Sequence, residues 1–290
     1  MPLYWRGHMR CPARLRAFVV REPDIRNPSF IMASMFAALL VGSACWGGFD
    51  PTVSVTLEVD TTSLPQGTDV SEVPDGVKDV VLHRLDAFGA SGEVTVEGEN
   101  RLIVETSGMT AGEAEDLMGR TGLLRFMEAE EDEAGIICRT EEGERFSAEY
   151  PTQVSLGVCT TAELAGEVVW KPATGIRNDE VMALTALQVQ AGSAQVDLNP
   201  FSIPLVRIEF TRDGTLLFEQ ITTRLSPPPR PLGIFLDDDL IGAPQVVFPI
   251  AQSSAGISVG TPDDAKGLAV ILNSGAFPAP TIVVAIEEIP

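Results

Sequence analysis

The sequence holds few of the residues from which enzyme and nucleic-acid sites are built. Histidine occurs twice, at His8 and His83, which nearly excludes metal centres built on several imidazoles and triads that need a well-placed one. Aromatic residues make up 6% of the 290 residues, too few for a stacking surface that binds single-stranded nucleic acid. Basic residues number 20 against 41 acidic ones, and a net charge of −21 repels phosphate backbones. Nucleic acid is therefore excluded as a partner.

Motifs that carry catalytic chemistry are also scarce. No phosphate-binding loop, nucleophile elbow or His-Glu-x-x-His motif occurs. Asp237–Asp239 are either a cation site or a hairpin turn, and the turn is favoured because no calcium loop is completed downstream. Pro227–Pro231 are either a polyproline ligand or a stiff connector, and the connector is favoured. The sequence predicts no catalytic, cofactor or metal site, and hence a protein that is not an enzyme.

The first 44 residues differ in charge from the rest. They hold six arginines and two acids, whereas the remaining residues hold 14 basic and 39 acidic side chains, a net charge of −25. The apolar run of residues 30–44 follows the arginines, as in an export signal with a positive cytoplasmic side. Translation from Met9 or Met32 would shorten this long leader.

Three interpretations of the apolar run remain open. Val41–Cys45 resembles a bacterial lipobox, which favours a signal that is cleaved before a lipidated Cys45. The alternatives are an uncleaved anchor and a buried helix. Gly42 stands where the lipobox usually has leucine. The first two interpretations predict an extracytoplasmic body tethered to the cell membrane. In that compartment Cys138 and Cys159 are candidates for a disulfide, the alternative being two buried thiols.

Hydrophobic periodicity predicts an α+β body of two similar halves. In the first half, alternation over 53–59 predicts a strand, 75–88 a helix ended by Gly89, and 94–105 a hairpin. A helix over 110–119 with Thr110 as its cap and a closing strand at Leu123–Met127 complete the order β-α-β-β-α-β. That order is typical of a ferredoxin-like unit.

The second half repeats the pattern after residue 177. Strands are predicted at 184–190 and 204–211, then a helix with Leu217, Ile221 and Leu225 on one face, and strands flanking a turn region at 237–244. A last helix opens at Thr261–Asp264, ends at Gly275 and precedes a strand at 281–286. The predicted organisation is a signal or anchor (1–45), a first domain (46–128), an acidic insertion or linker (129–176) and a second domain (177–290) whose final strand returns towards the first domain.

Three stretches together resemble the SecD family of protein-export translocase subunits. The first stretch, residues 81–105, has a helix that ends in the pattern Arg-x-x-x-x-Gly, formed by Arg84 and Gly89, and a hairpin follows it. The second stretch, residues 232–244, has Asp237 and an x-x-Ala-Pro segment that ends at Ala243 and Pro244. The third, residues 264–280, resembles the family's last helix and its Gly-Ala-Leu-Pro-Ala-Pro turn. There Gly275, Pro278 and Pro280 match, and Phe277 takes the leucine position.

The resemblance covers the periplasmic P1 region of the family, a base and a head, without the later membrane helices. Residues 48–51 also lack the double glycine of the family's opening stretch. Proton-driven activity is therefore not implied for this chain. The resemblance implies a membrane-anchored, extracytoplasmic accessory in protein export whose head contacts translocating polypeptide or Sec translocon subunits. The alternatives are an envelope lipoprotein that reuses the fold for unrelated structural or binding work, and a truncated SecD remnant.

Overall fold

The computed structural model describes residues 50–62, 64 and 69–289. The N-terminal apolar run and Cys45 lie outside the described residues. The described part contains four α-helices and two 3-10 helices, the latter at Val70–Glu72 and Ala186–Gln188. The α-helices are α1 (Val73–Phe88), α2 (Ala111–Met118), α3 (Arg212–Arg224) and α4 (Pro262–Ser274). None of these helices is long and apolar enough to span a lipid bilayer.

Twenty short strands accompany the helices in the described residues. They are β1 (Val53–Val59), β2 (Ser91–Glu97), β3 (Arg101–Ser107), β4 (Leu124–Ala129), β5 (Glu131–Asp132), β6 (Gly135–Arg139), β7 (Arg145–Ala148), β8 (Val154–Ser155), β9 (Val158–Thr160), β10 (Ala165–Val168), β11 (Trp170–Pro172), β12 (Thr174–Arg177), β13 (Glu180–Ala183), β14 (Gln195–Leu198), β15 (Pro204–Glu209), β16 (Arg230–Leu236), β17 (Asp239–Gly242), β18 (Gln245–Val246), β19 (Ser254–Ser258) and β20 (Thr281–Glu288). The mixed helix and strand content confirms the α+β class.

The predicted helices form because the spacing of their apolar residues and the positions of their caps indicate the same helix. α1 buries Val77, Val81 and Leu85 on one face and ends at Gly89, whose φ of 89° suits a residue without a Cβ. α2 and α4 begin at Thr110 and Thr261, and each threonine forms a capping box with the acid three residues later. The helix predictions from periodicity are thus confirmed, with ends that shift by one or two residues.

The first sheet has the strand order β2-β3-β1-β20, and all its pairings are antiparallel. β1 buries Val53, Val55, Leu57 and Val59 on the face toward the main core. The predicted hairpin is present, with Val94 opposite Val104 in β2 and β3. The strand predicted at 281–286 pairs with β1 along its length, so the C-terminal end of the chain completes the sheet that the first strand begins.

The prediction that Leu123–Met127 closes the first sheet is wrong. β4 pairs instead with β16 and β11, in a sheet of order β11-β4-β16-β17 with β18 added to β16. The position beside β1 is taken by β20. Apolar alternation shows that a strand has a buried face, but it carries no information about which distant strand lies beside it. The two self-contained ferredoxin-like units are therefore not confirmed.

The second half also departs from the predicted pattern. Residues 184–190 are not a strand: Thr185 caps a 3-10 helix there, and its partner in the capping box is Gln188. β15 forms a separate three-stranded sheet, of order β14-β15-β19, against which α4 packs. The strands of the second half thus belong to four sheets: β14, β15 and β19 form one of their own, β16 to β18 lie in the sheet of β4, β13 pairs with β12, and β20 joins the first sheet. The β14-β15-β19 sheet, the sheet of β4, α3 and the first sheet share one main hydrophobic core.

The acidic insertion is folded rather than a plain linker. Its strands β5 to β10 form one sheet, in which β6 pairs with β5, β7 and β10. A small core separate from the main one lies beneath it and includes Ile136, Ala148, Val154 and Val168. We call residues 129–170 the stapled module, because its core also contains the Cys138 and Cys159 pair described below.

Candidate functional site

The residues that carry the family resemblance meet around the side chain of Arg84. Arg84 is fully buried in α1, and its guanidinium donates hydrogen bonds to the carbonyl oxygens of Leu117 (2.7 Å), Arg120 (2.5 Å), Thr121 (3.0 Å) and Gly275 (3.3 Å). These carbonyls lie at the ends of α2 and α4, where helical carbonyls have no partner within the helix. One planar cation therefore joins the ends of two helices to a third helix.

The charge of Arg84 is retained despite its burial. Desolvation lowers its pKa to about 10, and the nearby negative charge of Asp237 acts in the opposite direction. The guanidinium is thus protonated at neutral pH. The ring of Phe277 lies 4.0 Å from the guanidinium carbon, as measured to the ring centroid, and completes the apolar side of the enclosure.

Asp237 holds in place the loop after α2 that supplies the Arg120 and Thr121 carbonyls. Its carboxylate accepts hydrogen bonds from the backbone N–H groups of Gly122 and Leu123, both at 2.9 Å. Its own backbone has a φ of 57°, a conformation that aspartate tolerates in tight turns. Asp237 and Asp238 form the turn between β16 and β17, which confirms the turn interpretation of the acidic triplet. Among the described residues, no three His, Cys, Asp or Glu side chains are arranged to hold a metal ion.

The remaining motif residues direct the backbone where elements end. Gly275 follows α4 with a φ of 83°, and the next residues return to the first sheet, where the Pro280 carbonyl accepts from the N–H of Asp60 at 2.8 Å. A Cβ on Gly76 would lie 3.1 Å from Cγ of Pro278, so α1 approaches this turn closely. Pro244 accepts a hydrogen bond from the N–H of Leu232, and Ala243 precedes it in the same loop.

Arg84, Asp237 and Gly275, with residues 117–123 and Phe277, form what we call the motif junction. It connects α1, α2, α4 and the β16–β17 turn through buried hydrogen bonds. A Cβ on Gly122 would lie 2.9 Å from a guanidinium nitrogen of Arg84, which explains a glycine at this position with φ 93°. The junction is enclosed and holds structural hydrogen bonds, so its arrangement favours a role in stabilising the fold over a role in contacting a ligand.

Two arginines that sequence analysis did not single out tie the acidic turn to the junction. Arg120 forms an ion pair with Asp239 at 2.7 Å, and Arg125 donates to the Asp238 carboxylate at 2.8 Å. Arg125 also donates to the carbonyl oxygen of Asp237. The partners are more than 110 residues apart in the chain. No local pattern links residues at such separations, so only the folded chain shows these pairs.

Cys138 and Cys159 are joined by a disulfide in the core of the stapled module. Both residues are fully buried, and 21 positions separate them in the chain. The module is fastened to the β4–β16 sheet through Trp170, whose ring meets Phe235 edge to face at a centroid distance of 5.7 Å. A Cβ on Gly233 would lie 2.8 Å from the same indole, so the glycine permits this contact.

An exposed apolar surface lies on the second half of the chain. Residues 195–207 form a hairpin of β14 and β15, which we call the apolar hairpin. Its tip is ordered by Asn199, whose side-chain oxygen accepts from the N–H groups of Phe201 and Ile203, both at 2.9 Å. Phe201 is 84% exposed although its backbone is held in place. Val196, Leu198 and Ile203 are also exposed, which makes the apolar hairpin a candidate contact surface.

Sequence analysis did not identify the apolar hairpin. Asn199-Pro200 is a turn signal, and two apolar residues lie on either side of it. Such a pattern predicts a hairpin but not its exposure, because exposure depends on what packs against the strands. In the described residues β14 pairs only with β15, which leaves its other edge free of strand partners.

Comparisons with known proteins agree with the earlier resemblance. Residues 168–279 match the family model described as SecDF, P1 head subdomain. The chain is 29% identical to the protein translocase subunit SecD of Synechocystis sp. over 280 residues, which cover 88% of this chain and 56% of that protein. It is 30% identical to the SecD of Magnetococcus marinus over 212 residues, which cover 72% of this chain and 38% of that protein. The chain thus spans between 38% and 56% of the length of these relatives.

Solved structures show the same fold. A structure of SecDF, described as a membrane component that enhances protein export, superposes with a TM-score of 0.54 at 22% identity, covering 81% of this chain and 100% of that one. A crystal structure of SecDF in a super-membrane-facing form gives a TM-score of 0.55 at 21% identity, covering 81% of this chain and 30% of that one. The chain therefore resembles the SecD family in its P1 region, and its residues 168–279 correspond to the P1 head subdomain.

Proposed function

We propose that this protein is a non-enzymatic accessory of protein export that contacts translocating polypeptide or Sec translocon subunits through its head. Similarity to SecD and to the SecDF P1 region supports a role in export. The observation that carries the finer proposal is the apolar hairpin, since residues 195–207 lie within the head match and expose Val196, Leu198, Phe201 and Ile203.

The apolar hairpin offers two means of contact with an unfolded chain. Its exposed side chains provide apolar surface for alternate residues of an extended segment. The edge of β14 that has no strand partner within the described residues offers backbone N–H and C=O groups for strand addition. Backbone pairing requires little sequence specificity, which suits a protein that meets many exported chains.

We further propose that the body is extracytoplasmic and tethered to the membrane by its N-terminal segment. The disulfide of the stapled module supports an oxidising compartment. The arginine-rich leader and the apolar run support export, either with a lipid on Cys45 or with an uncleaved helix. Labelling cells with a radioactive fatty acid distinguishes the two, because only the lipidated form incorporates label and loses it in a Cys45→Ser variant.

In vivo photocrosslinking tests the proposed contact. A photoreactive residue at Leu198 or Phe201 should crosslink to precursors of secreted proteins or to translocon subunits, as identified by mass spectrometry. The matched control is the same residue at Glu141, an exposed position in the stapled module outside the head match. Stable crosslinks to one other envelope protein, without precursors or translocon subunits, would instead support the alternative in which the fold serves envelope structure. Equal crosslinking from Glu141 would contradict a specific contact.

A further inference from the structure

An open cleft of about 380 Å³ lies between α2, the first turns of α4 and the β16–β17 hairpin. Its floor is apolar and includes Leu117, Leu236, Leu268 and Ile271, all of which are buried. Phe88, Ile241 and Val259 contribute half-buried apolar surface to its walls. This volume is at the small end of the range for ligand sites, about 300–1,000 Å³. It has room for one or two side chains, not for a folded surface.

Four carboxylates stand around this floor, and two of them have no partner. Glu113 and Asp264 accept hydrogen bonds from the N–H groups of Thr110 and Thr261 within their capping boxes. Asp116 on α2 and Asp263 on α4 are exposed and form no hydrogen bond or ion pair within the described chain. They contribute one unneutralised charge from each of the two helices that line the cleft.

The two cations that line the cleft are already engaged. Arg120 pairs with Asp239, and the ammonium of Lys266 lies 3.7 Å from the centroid of the Phe88 ring. The adjoining shallow depression, which shares Asp116 and Arg120 with the cleft, is lined by Glu115 and the acidic turn at Asp237–Asp239. The surroundings of the apolar floor are therefore strongly negative, and anionic ligands would be repelled.

We propose that this cleft binds a polypeptide segment in which one or two apolar side chains are flanked by lysine or arginine. The apolar side chains would lie on the floor, and the flanking cations would pair with Asp116 and Asp263. The net charge of −25 beyond residue 44 would steer such a segment toward the protein. The inference goes beyond the proposed function, because the cleft is a different surface from the apolar hairpin and its occupancy does not require contact with exported chains.

The test measures binding of a fluorescein-labelled peptide, Ser-Lys-Leu-Leu-Lys-Ser, to the full chain by fluorescence anisotropy. An Asp116→Asn/Asp263→Asn variant should weaken binding at least fivefold, because both cation partners lose their charge. The matched control, Glu141→Gln/Glu142→Gln, removes the same charge from exposed residues that do not line the cleft, and should change binding less than twofold. Equal weakening in both variants would overturn the proposal, because attraction would then follow total charge alone.

A second variant blocks the cleft without depending on charge. Gly267 lines the cleft on α4, and a Cβ placed there meets no atom within 4 Å. Gly267→Leu should therefore fold well, since leucine favours a helix more than glycine does, and should fill the space that the peptide needs. We expect at least a tenfold loss of binding. Undiminished binding to this variant, or equal binding of a peptide with serines in place of leucines, would overturn the proposal.

The failure of this proposal is distinguishable from the failure of the proposed function. Phe201→Ser, in the apolar hairpin, should leave peptide binding in the cleft unchanged while reducing crosslinks from the head. Gly267→Leu should do the reverse. Loss of peptide binding in Phe201→Ser would mean that the peptide binds at the apolar hairpin, and the cleft proposal would then be wrong.

Discussion

At the residue scale, Arg84 joins segments that lie far apart in the chain. Its guanidinium satisfies four carbonyl oxygens that would otherwise have no side-chain donor at the ends of α2 and α4. An Arg84→Met variant keeps much of the apolar volume and removes every donor. We expect a loss of about 3 kcal/mol in the free energy of unfolding, measured by urea titration, because the carbonyls of Leu117, Arg120 and Gly275 would lose their donor. The Thr121 carbonyl would keep the hydrogen bond from the N–H of Phe277.

The control for this prediction is Arg101→Met, at an exposed position in β3. A surface change of this kind should shift stability by about 0.5 kcal/mol or less. The free energy of unfolding of Arg84→Lys should be close to that of Arg84→Met, since one ammonium cannot reach all four carbonyls. Stability equal to wild type in Arg84→Met would show that the junction contributes specificity of packing without net stability.

A second prediction at this scale concerns the cap of α2. The pKa of Glu113 is lowered, first by the hydrogen bond from the Thr110 backbone N–H and then by that from its hydroxyl. A lowered pKa means that the carboxylate stabilises the fold above its ordinary pKa, 4.5, and that this contribution is lost as the pH falls through the folded-state value. Thr110→Ala should cost about 1 kcal/mol at pH 7 and less at pH 3.

Urea titrations of wild type and variant at the two pH values check this. Glu115→Gln serves as the comparison, since Glu115 lies on the same helix and its side chain forms no hydrogen bond within the described chain. Its effect on stability should be small at both pH values. An undiminished cost of Thr110→Ala at pH 3 would mean that the hydrogen bond from the Thr110 hydroxyl to the Glu113 carboxylate adds nothing to the cap.

At the element scale, β20 completes the first sheet as its fourth strand. It pairs with β1 from Val53 to Val59 and contributes Val283 and Ile286 to the core face. Removing residues 281–290 should expose the β1 edge and destroy hydrogen-exchange protection in β1 and β3. The stapled module has its own core and disulfide, so its protection should remain. Retained protection in β1 would show that three strands suffice for this sheet.

The disulfide between Cys138 and Cys159 is the second stabilising feature at the element scale. Closing a loop of about 20 residues removes chain entropy from the unfolded state, and stabilises the fold by about 3 kcal/mol in that account. A Cys138→Ala/Cys159→Ala variant should lose about this much, and a thiol reductant should destabilise wild type but leave the variant unaffected. Peptide mapping without reduction checks the pairing directly. Sensitivity of the double variant to reductant would point to another cysteine pair.

At the scale of the whole molecule, uncompensated negative charge opposes folding. The residues beyond position 44 carry a net charge of −25, and seven ion pairs in the described part of the chain neutralise few of these acids. Salt shortens the range of repulsion, from a Debye length of about 30 Å at 0.01 M to about 10 Å at 0.1 M. We expect the thermal midpoint to rise by several degrees over this range, measured by circular dichroism. A falling midpoint would show that the ion pairs outweigh the repulsion.

Much of the local structure was predictable because it depends on neighbouring residues. Apolar spacing and caps located α1 to α4, and alternation located β1 and the β2–β3 hairpin. The motif residues were predictable as a set, but not their meeting place, since Arg84 and Gly275 are 191 positions apart. The prediction of a strand at 184–190 was wrong because Thr185 and Gln188 form the capping box of a 3-10 helix, which the apolar content of the segment does not reveal.

The sequence alone determined the α+β class, the helices, the acidic character and the resemblance to SecD. These follow from composition and from periodicities of two and 3.6 residues, which act over short separations. Only the tertiary structure decided that β20 rather than β4 lies beside β1, that Arg84 is buried among helix ends, and that Phe201 remains exposed. Strand partners, burial and surface exposure depend on contacts between distant segments, and those contacts form only when the whole core assembles.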